Sequence, residues 1–258
     1  MRLFKFVPPE RLDILENQRV AFTPPGRFKD PYELKPNFDK SVGKLIFEQA
    51  FAEYKDSAIP PHLSPRQRRK WARSLKASEK KNWEFQNLAK ATEQSVARHL
   101  DKTLGLLCLT SDLLNNLLWY HYADGHRGFA IELDSEDVGF KKLGQLHQVE
   151  YLTSPLKFHS RDMPSKELAR SKPDYLKYES EYRIVRHLRD CRAETISSTG
   201  ETIYFVELAK ELIKSIYLGH RVENRIQSRI KTALAGTATN IQRVIPTDGS
   251  YKLTTTSL

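Results

Sequence analysis

Trp119-Tyr120-His121-Tyr122-Ala123-Asp124-Gly125-His126-Arg127-Gly128-Phe129-Ala130-Ile131-Glu132 changes its period in the middle. Trp119 and Tyr122 lie three apart, so in a helix they share one face. Asp124-Gly125 is a helix-ending pair, and the apolar run 128–133 has strand length. A helix that passes through a short turn into a strand, in a chain with many other short apolar runs, predicts an α+β domain. Working outward, 105–110 and 147–152 read as strands, as do 180–185, 202–208, 213–218 and 241–245. Ser111-Asp112 is placed to cap a helix from 113 to about 122. A further amphipathic helix is expected over 222–235, ending at Gly236. The stretch 153–170 reads as mobile and polar.

The chain opens with an alternating strand over 2–7. Pro8-Pro9-Glu10 then starts a helix to about Gln18, because proline suits a first turn. A second strand follows at 20–23. The loop Pro24-Pro25-Gly26-Arg27-Phe28-Lys29-Asp30-Pro31-Tyr32-Glu33 is rigid by composition and presents Asp30. Residues 42–55 have helical spacing, Ile59-Pro60-Pro61 breaks it, and 64–102 is helical again, with Ser64-Pro65 at its start. Residues 40–102 therefore form a helical insertion in a single α+β domain spanning 1–258. The sheet of that domain is expected to be curved and mostly antiparallel.

A chain of 258 residues can bury one sizeable core. Twelve Phe and eleven Tyr argue against disorder. No apolar run reaches membrane-span length, and the first residues carry no apolar leader, so a cytoplasmic, non-membrane protein is expected. Cys108 and Cys191 are the only cysteines, too few for a disulfide framework or a zinc site. The net charge of +10 is concentrated: residues 62–102 hold eleven Lys or Arg against four Asp or Glu, a local +7. Such a stretch attracts phosphate by counterion release. Arg66, Arg68, Arg69, Lys70, Arg73, Lys76, Lys80 and Lys81 are the candidate nucleic-acid contacts, with Trp71 and Trp83 available for base stacking. The plainer reading is a solvated helical face.

The second dense segment is Lys177-Tyr178-Glu179-Ser180-Glu181-Tyr182-Arg183. On one strand Glu179, Glu181 and Arg183 share a face, with the carboxylates roughly 7 Å apart. Such a pair can grip a diol or share a proton, and Arg183 can hold one member ionised. The alternative is an ordinary solvent-facing strand. His121 lies off the Trp119–Tyr122 face, and His126 follows in the turn, where side chains are offered to ligands. Their spacing of five does not suit two metal ligands on one helix. Asp30 and Asp124 could complete a metal site, as a metal-dependent hydrolase would need, but nothing in the spacing requires it, and no metal is expected. There is no glycine-rich phosphate loop, nucleophile elbow or dinucleotide fingerprint.

A larger set of residues resembles the prokaryotic family catalogued as domain of unknown function 2971, which includes abortive-infection proteins of the AbiGi type. The set is Leu3-Phe4-Lys5-Phe6, Phe22-Thr23-Pro24, Phe28-Lys29-Asp30-Pro31-Tyr32-Glu33, Cys108-Leu109-Thr110-Ser111, Trp119 through Gly128, Val149-Glu150-Tyr151, Tyr178 through Arg183, and Ile216-Tyr217-Leu218-Gly219. Lys29 departs from the family pattern, which has Asn there. The order of elements also resembles, more weakly, DNA-targeting ADP-ribosyltransferase toxins. That resemblance implies a split, bent sheet holding NAD as a substrate, in an anti-phage defence or toxin system with an antitoxin or other defence protein as a partner. It implies Glu181 as the catalytic glutamate, Glu179 as the first acid of the pair, and His121 beside them. Lys5, Asp30, Thr110, Trp119, Tyr122 and His126 would contact NAD, Trp119 or Tyr122 by stacking on nicotinamide. Two other functions remain open: a nuclease or hydrolase using His121 and His126, and a non-catalytic module that binds nucleic acid.

Overall fold

A computed structural model of the chain describes residues 1–82, 84–159 and 165–258, with the side chains at 56, 57, 81 and 82 outside that description. The fold is mixed α/β around a mostly antiparallel open sheet. In chain order the strands are β1 (Arg2–Val7), β2 (Arg19–Phe22), β3 (Leu104–Thr110), β4 (Phe129–Asp134), β5 (Gln145–Gln148), β6 (Glu150–Leu152) and β7 (Ser171–Pro173). They continue as β8 (Glu181–His187), β9 (Arg192–Ile196), β10 (Glu201–Glu207), β11 (Ile213–Gly219), β12 (Asn240–Pro246) and β13 (Leu253–Ser257). The main sheet has the order β13-β12-β11-β4-β1-β3-β8-β5, and β2-β10-β9 and β6-β7 form two small sheets. The helices are α1 (Asp13–Glu16), α2 (Lys40–Ala58), α3 (Pro65–Asn82), α4 (Phe85–Thr103), α5 (Asn116–Tyr122), α6 (Val138–Lys141), α7 (Ser165–Arg170) and α8 (Asn224–Ala233). No helix among the described residues is long and apolar enough to cross a membrane.

Strand alternation sorts the apolar residues onto two faces. Leu3 and Val7 of β1 join Leu107, Leu109, Ile131, Ile216 and Ile230 in the larger core. Phe4 and Phe6 point the other way, into a smaller core with Leu118, Trp119, Ala130, Tyr217 and Val244. β4 is central, and Phe129, Ala130 and Ile131 are all buried, as a strand covered on both faces requires.

The main sheet forks between β1 and β3. β1 runs in register with β4 along its whole length, from Arg2↔Asp134 to Val7↔Phe129, yet it meets β3 only at Phe4↔Thr110. Farther along β3, Thr23 takes the place that β1 has left: its N–H and C=O both bond Leu106, at 2.8 and 2.9 Å. Lys5 reaches into the gap and donates to the Cys108 carbonyl at 3.2 Å, which satisfies an acceptor the ladder would otherwise leave open. Gly105 permits the crossing, because a Cβ there would lie 2.7 Å from Leu188 Cδ2 and 2.8 Å from Phe22 Cβ.

Several local expectations change. The helix expected over 8–18 is a single-turn 3₁₀ segment followed by the four-residue α1. The helical stretch 64–102 is two helices, α3 and α4, and the residue expected to stack from between them, Trp83, lies outside the described residues. Asn115, not Ser111 or Asp112, caps α5: its side-chain oxygen accepts from the Leu117 N–H at 3.0 Å. The 147–152 run breaks at Val149, whose N–H turns to the Glu181 carbonyl at 3.0 Å. Of the stretch 153–170, expected to be mobile and polar, residues 160–164 lie outside the described residues; the described part carries α7 and lies between the strands of the parallel pair β6–β7. Most consequential, Glu179 is not on β8. It ends a 3₁₀ segment (Asp174–Glu179), and Ser180 follows with φ of +44°, in the left-handed region. The two glutamates therefore do not share a strand face.

The α2–α4 contact is equally close. A Cβ on Gly43 would sit 2.0 Å from the Phe85 carbonyl oxygen, so neither helix can accept one without moving. Gly43→Ala is expected to cost about 1–3 kcal/mol and to lower Tm by roughly 2–4 °C for each kcal/mol. A thermal melt with unchanged Tm would show that α4 is free to shift.

Candidate functional site

The fork, the 24–33 loop and the turn before β8 enclose a cavity of about 690 Å³, within the size range of small-molecule sites. Seven residues singled out from the sequence line it together: Lys5, Asp30, Thr110, His121, Tyr122, Glu179 and Glu181. They come from β1, the loop, the end of β3, α5 and the turn into β8, so the chain brings them together only by folding.

An ion cluster forms one wall. Arg183 has no exposed surface. Its Nε donates to Glu181 Oε1 at 2.8 Å, its Nη2 to Glu181 Oε2 at 3.2 Å and also to Glu33, and its Nη1 to the Ala169 carbonyl at 2.9 Å. Lys172, also buried, donates to Glu181 Oε2 at 2.7 Å and to Glu179, and lies 3.6 Å from Glu33. Three carboxylates thus share two cations. Burial would raise Glu181, but Arg183 and then Lys172 outweigh it and hold the carboxyl down at about 2. At Glu33 burial wins against the same two cations, and the carboxyl lies above its ordinary range. Burial opposes the charge of Lys172, yet Glu181, Glu33 and Glu179 together keep it well above the ordinary lysine range. Two carboxyl groups on one guanidinium therefore have their proton affinities pushed apart.

The remaining contacts set the positions of the acids. The Tyr122 hydroxyl donates to Glu179 Oε1 at 2.8 Å, and burial followed by that carboxylate raises the phenol. Thr110 Oγ1 donates to the Glu179 carbonyl at 2.7 Å, and the Tyr151 oxygen accepts the Glu181 N–H at 2.8 Å. Burial pushes the Lys5 ammonium below the ordinary lysine range. Burial, with Glu181 nearby, pushes the Cys108 thiol up, so it stays protonated and is no nucleophile. Asp30 accepts from the Tyr32 N–H at 2.8 Å, the Glu33 N–H at 3.1 Å and the Tyr175 hydroxyl. Phe28 lies with its ring centroid 5.6 Å from the Arg183 guanidinium carbon.

Two candidates do not belong to this cavity. Trp119 is fully buried in the smaller core, where its Nε1 donates to the Leu113 carbonyl at 2.7 Å and Phe6 packs edge-on at 5.0 Å. It has no free face for nicotinamide. His126 lies behind it, stacked on the Trp119 ring at 5.6 Å, with Nε2 2.9 Å from Asn116 Oδ1. His121 and His126 therefore face different surroundings, which removes the paired-histidine geometry of the hydrolase reading. Asp124 is held by Arg127 at 2.7 Å, apart from Asp30. No group of three or more His, Cys, Asp or Glu suited to a metal occurs among the described residues.

The basic candidates lie on α3. Arg66, Arg68, Arg69, Lys70, Arg73 and Lys80 are exposed. Lys76 is turned inward to Glu48 and the Phe51 ring, and the Lys81 side chain lies outside the described residues. Arg66, Arg69, Lys70, Arg73 and Lys80 follow helical spacing along one side, while Trp71 is half-buried on the other.

The sequence gives no role to Lys172 or Glu33; it offers Arg183 as the cation that holds one glutamate ionised, and the structure puts that guanidinium on Glu181 and also on Glu33, buried rather than on a solvent-facing strand. Glu33 closes the Asp30-Pro31-Tyr32-Glu33 motif, which was a signal. Lys172, between Ser171 and Pro173, gives none.

Comparison of the chain with protein-family models, with curated proteins and with solved structures finds no match. The geometry therefore carries the functional argument alone.

Removing Arg183 leaves Glu33 and Glu181 buried with only Lys172 to share. Arg183→Met is expected to destabilise the protein by roughly 3–5 kcal/mol in urea unfolding, and an effect below about 1 kcal/mol would mean that the cluster is not held in ionised form. His126 gives a prediction in pH. Burial, then His220 and Arg221, lowers it from 6.5 to about 4, so between those values the unfolded chain binds the proton and the folded chain does not. The stability contributed by this neutral imidazole is complete above pH 6.5 and is lost as the pH falls toward 4. His126→Asn tolerates the native φ of +66° and should flatten this loss between pH 6.5 and about 5, above the range of most carboxylates. An unaltered slope would assign the loss to other groups.

Proposed function

We propose that the cavity takes NAD and that the protein transfers its ADP-ribosyl group to a nucleic-acid acceptor. The observation that carries this reading is a glutamate, Glu181, kept ionised by Arg183 and Lys172 in the wall of a nucleotide-sized cavity. Breaking the bond between nicotinamide nitrogen and ribose C1′ leaves positive charge on the sugar. A carboxylate that stays negative in a water-poor site stabilises that charge without reorganising. The acceptor's nucleophile then bonds to C1′ and releases its proton, while nicotinamide leaves with the electron pair of the broken bond. Glu179, oriented by Tyr122 and Lys172, is placed to bind a ribose hydroxyl or receive that proton. Phe28 and Tyr122 line the cavity and would contact the nicotinamide, in place of Trp119. The exposed basic side of α3 supports the nucleic-acid half of the reading, and it equally favours a second one, a module that binds nucleic acid without catalysis.

The test is incubation with adenylate-labelled NAD and total nucleic acid. Wild type is expected to transfer label, and Glu181→Gln to lose at least about 100-fold. Because Glu181 is also a counter-ion of Arg183, the variant's unfolding curve must accompany the assay. Tyr122→Phe avoids that difficulty, since it removes one partly exposed hydroxyl, and a drop of about tenfold or more is expected. A folded wild type that leaves NAD intact in the presence of nucleic acid would refute the transferase. Charge reversal at Arg69, Lys70 and Arg73 with an unchanged salt dependence of binding would refute the α3 contact.

A further inference from the structure

Two lysines line the main cavity in opposite surroundings, Lys172 and Lys5. Lys172, which also stands in the wall of a smaller neighbouring cavity of about 210 Å³, is committed to Glu179 and Glu181 and stays charged. Lys5 makes no ion pair among the described residues, and its hydrogen bond goes to an uncharged group, the Cys108 carbonyl. A neutral amine can donate that bond as an ammonium does. Burial lowers the proton affinity of Lys5 and outweighs Cys108 and Glu181, which favour the ammonium, while Arg11 adds to the lowering. Desolvation of this kind turns a lysine into a nucleophile, because the neutral amine carries a free lone pair. The amine is also reachable. Lys5 sits at the fork between β1 and β3, keeps part of its surface, and lines the same cavity as Glu179 and Glu181. The neighbouring Cys108 thiol is held protonated and does not compete. Lys29 lines the cavity as well, exposed and with no ion pair among the described residues, so it is available to a phosphate.

We infer that the main cavity captures a phosphorylated sugar aldehyde covalently, with Lys5 as the attachment point and Lys29 on the phosphate. The nitrogen lone pair of Lys5 adds to the aldehyde carbon and forms an N–C bond, and the carbonyl oxygen takes one proton from the nitrogen. The hydroxyl so formed then leaves as water with the second nitrogen proton, and a C=N bond remains. No oxidant or reductant is consumed. Glu179 and Glu181, in the wall of the same cavity, can accept hydrogen bonds from the sugar hydroxyls. NAD carries no free aldehyde, so this chemistry is separate from the transfer proposed above and does not rest on it.

The test incubates the full chain at pH 7 with ribose 5-phosphate and cyanoborohydride, which reduces the imine to a stable secondary amine. Peptide mass spectrometry then locates the added mass. An exposed lysine is a neutral amine in roughly one molecule in a few thousand at that pH. Lys5 is expected to be labelled at least about tenfold faster than the exposed Lys70 and Lys80, and to lose that lead when the chain is unfolded in urea. The ratio of Lys5 to surface labelling cancels the open-chain fraction of each sugar. With free ribose that ratio should fall about fivefold, and Lys29→Ala should lower it to the same level with ribose 5-phosphate. Labelling of Lys5 no faster than that of the surface lysines in the folded chain would overturn the inference, as would a lead that survives in urea. A ratio unchanged by free ribose and by Lys29→Ala would overturn the phosphate contact. The assay contains no NAD, so its failure leaves the transferase reading standing.

Discussion

Arg183 is the group on which the architecture of the site depends. A guanidinium with no access to water is tolerable only if carboxylates and carbonyls surround it, because an unpaired buried charge would cost several kcal/mol. Its partners come from distant parts of the chain: Glu33 from the loop after β2, the Ala169 carbonyl from α7, and Glu181 from the start of its own strand. Lys172 adds Glu179 and ties in β7. Satisfying these two cations therefore fixes the loop, the short parallel pair and the turn into β8 at once. The cavity wall is what these segments leave between them.

The fork in the sheet follows the same logic of satisfied groups. β1 can pair fully with only one neighbour because Thr23 claims Leu106 on β3. The gap this opens would expose unpaired backbone groups to an apolar interior. Lys5 meets one of them, the Cys108 carbonyl, with its side chain. A polar side chain lodged between two strands of a main sheet is unusual for a core, and it occurs here at the edge of the largest cavity described.

Much of this was legible in the sequence, and the rest was hidden for physical reasons. The apolar strands β3, β4, β8, β10, β11 and β12 declare themselves by composition, since burial on one or both faces leaves a period the eye can follow. β9 and β13 carry too many polar residues, and β7 is too short and contains a proline. Grouping Lys5, Asp30, Thr110, Tyr122 and the glutamates as one set anticipated the cavity. Trp119 and His126 sit in the same dense segment but face inward, because the turn at Asp124–His126 runs through three positive φ values that no periodicity argument captures. Glu179 and Glu181 were placed on one strand face because alternation assumes an extended backbone. Ser180, with its left-handed conformation, breaks that assumption, and both acids nevertheless reach Lys172. The role of Lys172 arises from tertiary contact alone and had no local signature.

Lys172 stands between two hollows, with its ammonium hydrogen-bonded to Glu179 and Glu181 and 3.6 Å from Glu33. An anion entering on either side must draw on the same ammonium, loosening its hold on Glu179 or Glu181 as it does so. Occupancy of one hollow therefore changes the free energy of filling the other. By linkage the factor is the same in both directions, so anions bound in both hollows would be coupled through this single side chain.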